Sequence, residues 1–298
     1  MSAALRLSKT ASSTLLALGA IALWSSLASL GVALAHVPPL LLTGLSLCIG
    51  SLIALPLSGF RLARWRVPLS TLGLGVCGLF FYHFLLFVAL QHAPAVQANL
   101  LNYLWPLLIV LLAPVLLKGM ALRPLHVAAG LLGFAGAAVV IFGGAANTSA
   151  AAPLGWSWGY LAAIAAAFIW ASYSLLTTRV APFATSAIGG FALVSGLLSL
   201  LCHALLEPAV RLSVRDGLLL ALIGLGPMGA AFFLWDKALK TGDPRHIGIL
   251  SYLTPLLSTA MLMVVNRQPL TASVSVAAIM IVAAAWLGTR AAQQSAKA

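Results

Sequence analysis

The sequence predicts an all-α integral membrane protein of ten transmembrane helices, built as two inverted-topology repeats of five helices each. Three observations carry that expectation. Hydrophobic residues make up 62% of the 298-residue chain and charged residues only 7%, whereas a water-facing surface needs roughly a quarter charged. The apolar residues gather into ten runs, each about long enough to cross a bilayer. The two halves also share residues in one register, at an offset of 149.

The first run, 14–35, follows Arg6 and Lys9 and ends at Ala33, Leu34 and Ala35, which imitates a secretory signal with its cleavage triplet. At about 22 residues it is too long for a signal core and suits a span, so it is read as a retained first helix. The first half continues at 37–58, 69–90, 95–117 and 124–143. The second half gives 156–178, 184–205, 216–239, 245–266 and 271–290. Helices are required, because backbone groups in lipid find no water and these runs lack the alternation of a barrel strand. The longest neutral break, residues 143–155 (GGAANTSAAAPLG), divides the repeats into 1–147 and 148–298.

Lys and Arg residues then orient the chain, since cytoplasmic loops carry an excess of them. With both termini cytoplasmic, thirteen of the sixteen lie on the inner side, and only Arg211, Arg215 and Arg267 lie outside. Trp65 and Trp286 fit the inner interface, and Trp156 and Trp158 the outer. The net charge of +12 therefore reports topology rather than a nucleic-acid partner. Cys48, Cys77 and Cys202 are odd in number and isolated in apolar runs, which points to unpaired thiols and to no metal or disulfide framework.

The repeat is visible in three regions. Ala89 and Leu90 match Ala238 and Leu239; Tyr103, Leu104, Pro106 and Leu107 match Tyr252, Leu253, Pro255 and Leu256; Val127, Ala128 and Ala129 match Val276, Ala277 and Ala278. Trp24 and Trp170 stand at an offset of 146, which a three-residue loop difference absorbs. Because five is odd, the second copy enters from the other side of the membrane, an arrangement typical of secondary transporters with a midplane site.

Depth selects the residues of interest, because Trp and Tyr normally sit at interfaces. Trp24 and Trp170 lie near midspan, where they either fill helix packing or line a cavity. Pro106 and Pro255 are equivalent midspan prolines, each freeing the carbonyl four residues back, on Asn102 and Ser251. Asn99 and Tyr103 share a helix face beside the first of these kinks. That stripe is either a pocket wall or a kinked helix bonded to its neighbour. Tyr82 and His83 follow a run of glycines, Gly73, Gly75 and Gly78, that permits close helix approach, as do Gly224, Gly226 and Gly229 in the eighth helix. His83 is either a packing residue or a contact for substrate or proton. Asp236, the only acid placed inside an apolar span, has Lys240 four residues on, which reads as an i,i+4 ion pair with a gating or coupling role as the alternative.

Absent features narrow the chemistry. The first half holds no acid at all, and the others are Glu207, Asp216 and Asp243, so the deep carboxylate common in ion coupling is missing. No midplane Lys or Arg is available to hold a phosphate. The sequence has no P-loop, no HExxH, no GxSxG and no Cys/His metal spacing, which argues against ATP-driven pumping and hydrolysis; no cofactor is expected.

The run IALWSS around Trp24, its echo FIWASY around Trp170, and the segments LNYLWP and LSYLTP ending at Pro106 and Pro255 resemble the EamA branch of the drug/metabolite transporter superfamily across nearly the whole chain. FFYHF (residues 80–84) and NLLNYLWP (residues 99–106) resemble its YddG-type subgroup of aromatic amino acid exporters. The resemblance implies two inverted five-helix repeats around a central cavity in a bacterial inner membrane. Carried over by position, it makes Trp24, Tyr82, His83, Asn99, Tyr103, Trp105, Trp170, Ser251 and Tyr252 the substrate-lining candidates, with Pro106 and Pro255 as kink or gating positions. It also implies a small-molecule cargo of aromatic or neutral amino acids and related metabolites. Alternating access without obligatory ion coupling is the expected mechanism. A broad exporter of drugs or cations is the alternative within transport, and a membrane-embedded enzyme or scaffold the alternative outside it.

Overall fold

The computed structural model describes residues 3–146, 157–265, 267 and 269–297. Trp156, most of the 143–155 connection and the 147/148 boundary lie outside the described residues. Among the described residues, ten helices are long and apolar enough to cross a membrane: α1 (Ala11–Ala33), α2 (Pro39–Leu57), α3 (Leu69–His92), α4 (Ala95–Leu116) and α5 (Pro124–Gly143) in the first half, and α6 (Gly159–Leu176), α7 (Thr185–Leu206), α8 (Val214–Thr241), α9 (Pro244–Val264) and α10 (Ala272–Gln294) in the second. The described residues contain no strand. Side chains such as Leu161, Phe168, Leu197, Val264 and Ile279 are exposed on the outer faces, where lipid rather than water is the favourable solvent.

Proline and acid residues set where these helices begin. Pro39 and Pro244 occupy first-turn positions, and Pro68 and Pro94 immediately precede α3 and α4. A first-turn proline gives up only an N–H that would lack a helical partner anyway. Ser213 and Asp216 form a reciprocal capping box at the start of α8. Asp243 caps α9 by accepting the Arg245 N–H at 2.9 Å. Glu207, at the end of α7, caps another helix, accepting the N–H groups of Leu40 and Leu41 at 3.0 and 3.3 Å. Asp216 therefore also lies inside a span, together with Asp236, because capping draws an acid into the first helical turn.

Besides α2, which breaks at Leu52 and Ile53, four helices are irregular, and their irregularities recur within one residue of the spacing of the sequence repeat. A π-helical segment at Cys77–Phe81 interrupts α3, and one at Gly226–Ala230 interrupts α8, 149 residues later. α4 breaks at Tyr103 and Leu104, just before Pro106; α9 breaks at Ser251 and Tyr252, just before Pro255. Each midspan proline therefore falls in the first turn of a fresh helical segment, where its missing N–H costs little.

Packing interleaves the two halves. Among the most extensive helix pairs are α5 with α10, α2 with α7, α1 with α8, α3 with α6, α1 with α9 and α4 with α6. Each pair joins one helix from each half, and exchanging the halves leaves the set unchanged. Close approach is needed along these seams. A Cβ on Gly50 of α2 would stand 2.7 Å from the Met228 carbonyl of α8 and 2.9 Å from the Gly229 Cα, which only small residues allow.

Candidate functional site

The centre of the bundle is a cluster of four indoles contributed by four helices: Trp24 of α1, Trp105 of α4, Trp170 of α6 and Trp235 of α8. Every one of them contacts the other three, with ring centroids 5.2 to 6.5 Å apart. Most pairs are tilted or edge-to-face, the arrangement aromatic quadrupoles prefer. Phe232 joins from α8, Tyr82 from α3 and Tyr173 from α6. Trp105, Trp170 and Trp235 are buried, whereas Trp24 and Tyr82 are only partly covered.

Polar groups meet the cluster without bringing formal charge. The Asn102 amide donates to the Tyr82 hydroxyl at 3.2 Å, and the Asn102 Oδ1 is buried with no hydrogen-bond partner among the described residues. Trp235 Nε1–H donates to the Ser174 hydroxyl at 3.1 Å. His83 packs edge-on to Tyr82 and Phe232, and its Nδ1 lies 2.6 Å from the Leu79 carbonyl. A carbonyl can only accept, so Nδ1 carries the proton and a neutral ring leaves Nε2 as an acceptor. The cluster thus offers π-faces and amide and imidazole acceptors, a set suited to an aromatic ring and an ammonium group.

Local irregularity positions these side chains. The π-helical turn of α3 ends at Phe81, directly before Tyr82 and His83; that of α8 ends at Ala230, directly before the helix carrying Phe232 and Trp235. An inserted π turn rotates the downstream side chains about the axis relative to a regular helix. The break in α4 falls between Asn102, which reaches Tyr82, and Trp105, which enters the indole cluster. Gly78 lets the Tyr173 ring lie where its own Cβ would stand.

Among the residues singled out from sequence, the structure gathers Trp24, Tyr82, His83, Trp105 and Trp170 into this cluster. Tyr103 is half-buried one turn from Asn99, whose carbonyl accepts its N–H at 2.9 Å, and Asn99 itself is exposed. Ser251 is fully buried, its hydroxyl donating to the Ile247 carbonyl at 2.9 Å. Its own carbonyl is not left free, because the Thr254 N–H re-bonds it at 3.0 Å. Tyr252 is also fully buried and packs against α5 and α10 with Leu107, Ala137 and Ile281, covering the face of Gly133. Trp235, Phe232, Tyr173 and Ser174 were not singled out, and Asn102 only for its backbone carbonyl. Ser174 stands four residues after Trp170 on the same face, and Asn102 adjoins Tyr103, so helical spacing was the available signal.

Asp236 lies on the same helix as Trp235 but turns toward the arginine- and lysine-rich end. It is 3% exposed; Lys240 bonds its Oδ2 at 2.8 Å and the Thr185 hydroxyl does so at 2.7 Å. Lys240 also donates to the Phe183 carbonyl at 3.1 Å and sits over the Phe183 ring. All four acids thus have local partners at helix ends. Among the described residues no group of three or more His, Cys, Asp or Glu side chains is placed to hold a metal, and the three cysteines are free.

Comparison with known proteins places this architecture. The model of the EamA-like transporter family matches the chain twice, at residues 11–142 and 157–290. A protein of Ancylobacter novellus described as an aromatic amino acid exporter, YddG, is 42% identical over 281 residues, covering 93% of this chain and 97% of that protein. An Escherichia coli exporter of the same description is 30% identical over 213 residues, covering 68% of this chain and 70% of its own length. A solved crystal structure has a TM-score of 0.86 at 40% identity, covering 95% of this chain and 99% of its own. With two family matches spanning nearly all of its ten helices, this multi-pass membrane protein belongs to the EamA-like transporter family.

Proposed function

We propose that the chain exports aromatic and other neutral amino acids across a bacterial inner membrane by alternating access, with both termini cytoplasmic. The observation that carries this reading is the four-indole cluster, which holds the hydroxyl of Tyr82, the Oδ1 of Asn102 and the imidazole of His83 but no ionised side chain. A zwitterion with an aromatic side chain finds stacking faces and weak polar partners there. Weak partners suit a carrier, which must release what it binds. The substrate-lining set is Trp24, Tyr82, His83, Trp105 and Trp170, with Asn99 and Tyr103 on the approach along α4. Pro106 and Pro255 set the helix breaks. Ser251 and Tyr252 act from behind them, as packing beneath the α9 break.

The exchange of partners between halves supports an inverted repeat: rocking one set of helices against the other closes one end as it opens the other. The distribution of Lys and Arg supports the orientation. Movement is facilitative, because the acids are engaged in caps and in the Lys240 pair rather than in the cluster. Indole faces also attract cations, which favours related cationic metabolites as a second cargo class. Uptake of labelled Phe, Trp, Thr and Met into proteoliposomes, with and without a pH step, tests the proposal. Uptake of no amino acid would defeat the substrate assignment, and a strict requirement for a proton or sodium gradient would defeat the facilitative one. Competition by organic cations distinguishes the second cargo class.

A further inference from the structure

A cavity of about 790 Å³ that shares no lining residue with the indole cluster lies at the arginine- and lysine-rich end, between the starts of α1 and α7 and the ends of α2 and α8. Leu16, Ile53, Leu57, Phe233 and Leu234 form its apolar walls. Its polar rim is Arg64, Lys237, Thr185 and Ser186. Charge on this rim has one sign. Arg64 and Lys237 are exposed and neither is ion-paired among the described residues. Asp236, next to Lys237 in the chain, is buried, with Oδ2 taken by Lys240 and Thr185 and Oδ1 buried as well. A zwitterionic amino acid would leave its ammonium beside two cations, so the rim selects an anion. The apolar walls select a ligand with a hydrocarbon portion. Outside the cavity, Phe60 and Leu62 are more than half exposed beside Arg61 and Arg66, the mixture of lipid-facing side chains and cations found at a membrane interface.

The geometry points to a binding site for an anionic phospholipid, its phosphate between Arg64 and Lys237 with the Ser186 hydroxyl, and an acyl chain along Leu57, Ile53 and Phe233. Two cations spaced across one cavity mouth can share a phosphate. The lipid would then bridge the 62–65 turn to α8 and the start of α7.

The test is lipid retention by the purified full-length protein in native mass spectrometry, with equal amounts of phosphatidylglycerol and phosphatidylcholine. The wild-type protein retains phosphatidylglycerol preferentially as its first-bound lipid. Each basic residue near an anionic headgroup contributes about fivefold, so Lys237→Gln lowers the preference about fivefold and Arg64→Gln with Lys237→Gln roughly 25-fold. Arg211→Gln with Arg215→Gln, at the opposite end, leaves it unchanged. The Arg64/Lys237 double variant transports normally in pure phosphatidylcholine vesicles, which separates this site from the transport cluster. An unchanged lipid ratio in that variant overturns the proposal. Displacement by inorganic phosphate would make the rim a site for a soluble anion and overturn the lipid; displacement by phenylalanine would place the cavity on the transport route and overturn it equally.

Discussion

The indole N–H of Trp235 donates to the Ser174 hydroxyl, joining α8 to α6 through two side chains that are both buried. Ser174→Ala leaves that donor without a partner, a loss of about 1–3 kcal/mol in a buried site. Trp235→Phe removes the donor and keeps an aromatic ring. The double variant is therefore less destabilised than the sum of the single ones, by on the order of 1 kcal/mol. Thermal unfolding of the three variants in detergent measures the cycle, and strictly additive losses would mean the bond contributes nothing.

Trp170 touches six rings, so its substitution tests the cluster at its most connected point. Truncation to Ala opens a cavity worth about 3–5 kcal/mol as well as removing contacts, and Trp170→Phe separates the two effects. Tyr103→Ala acts at a half-buried position with less to collapse. Both Trp170→Phe and Tyr103→Ala lower amino acid uptake by about threefold to tenfold, equivalent to one lost aromatic contact, at normal membrane expression. Unchanged uptake in both returns these residues to packing.

Glycines along α3 separate by environment rather than by sequence. A Cβ at Gly78 would enter the Tyr173 ring, whereas one at Gly73 meets nothing within 4 Å. Gly78→Ala therefore displaces a ring of the cluster and destabilises the protein by about 1–3 kcal/mol. Gly73→Ala is neutral or stabilising by up to about 1 kcal/mol, since alanine is the better helix former. Equal melting temperatures for the two variants would contradict the close approach.

Architecture was legible because lipid imposes few solutions: ten apolar runs became ten helices, and Pro106 and Pro255 marked the breaks at Tyr103 and Ser251. The site was legible where a residue sat at an unusual depth, as Trp24 and Trp170 do. Trp235 escaped notice because it neighbours Asp236 near a helix end, where a tryptophan normally belongs to the interface. The π-helical turn at Gly226–Ala230, whose glycines read in the sequence only as a site of close helix approach, precedes the helix that brings it to the centre. Tyr252 shows the converse. Its repeat partner Tyr103 is half-buried near the cluster, yet Tyr252 fills the seam against Gly133, because sequence equivalence does not make two environments alike.

Asp243 lies between spans, and its carboxylate joins the α9 start to Arg245, which in turn donates to the Ala121 carbonyl. Burial pushes its carboxyl up, but the hydrogen bonds and charge of Arg245 outweigh this and hold it below the usual carboxylate range. A depressed folded value means the stabilisation is complete above the unfolded value of about 3.9 and is lost as pH falls through the folded one. Asp243→Asn therefore lowers the melting temperature at pH 7, and the gap from wild type narrows as the pH is taken below about 4. A gap constant from pH 7 to pH 3 would exclude the ionised pair as its source.

Asp236 provides the sharpest test of facilitative movement. Its Oδ2 accepts from Lys240 on its own helix and from Thr185 at the start of α7, so one carboxylate holds two helices together at the basic end. Removing one partner of a buried pair leaves the other uncompensated, at about 3–5 kcal/mol. Asp236→Asn is accordingly destabilised, and Asp236→Asn with Lys240→Met recovers much of that loss because no unpaired charge remains. If the pair is structural, the double variant still moves amino acids down their gradient, and a pH step changes its uptake no more than it changes wild-type uptake. If wild-type uptake responds to a pH step and the double variant does not, the carboxylate carries a coupled proton. In that case the Lys240 pair is a resting contact of a coupling site, and facilitative transport is the wrong mechanism.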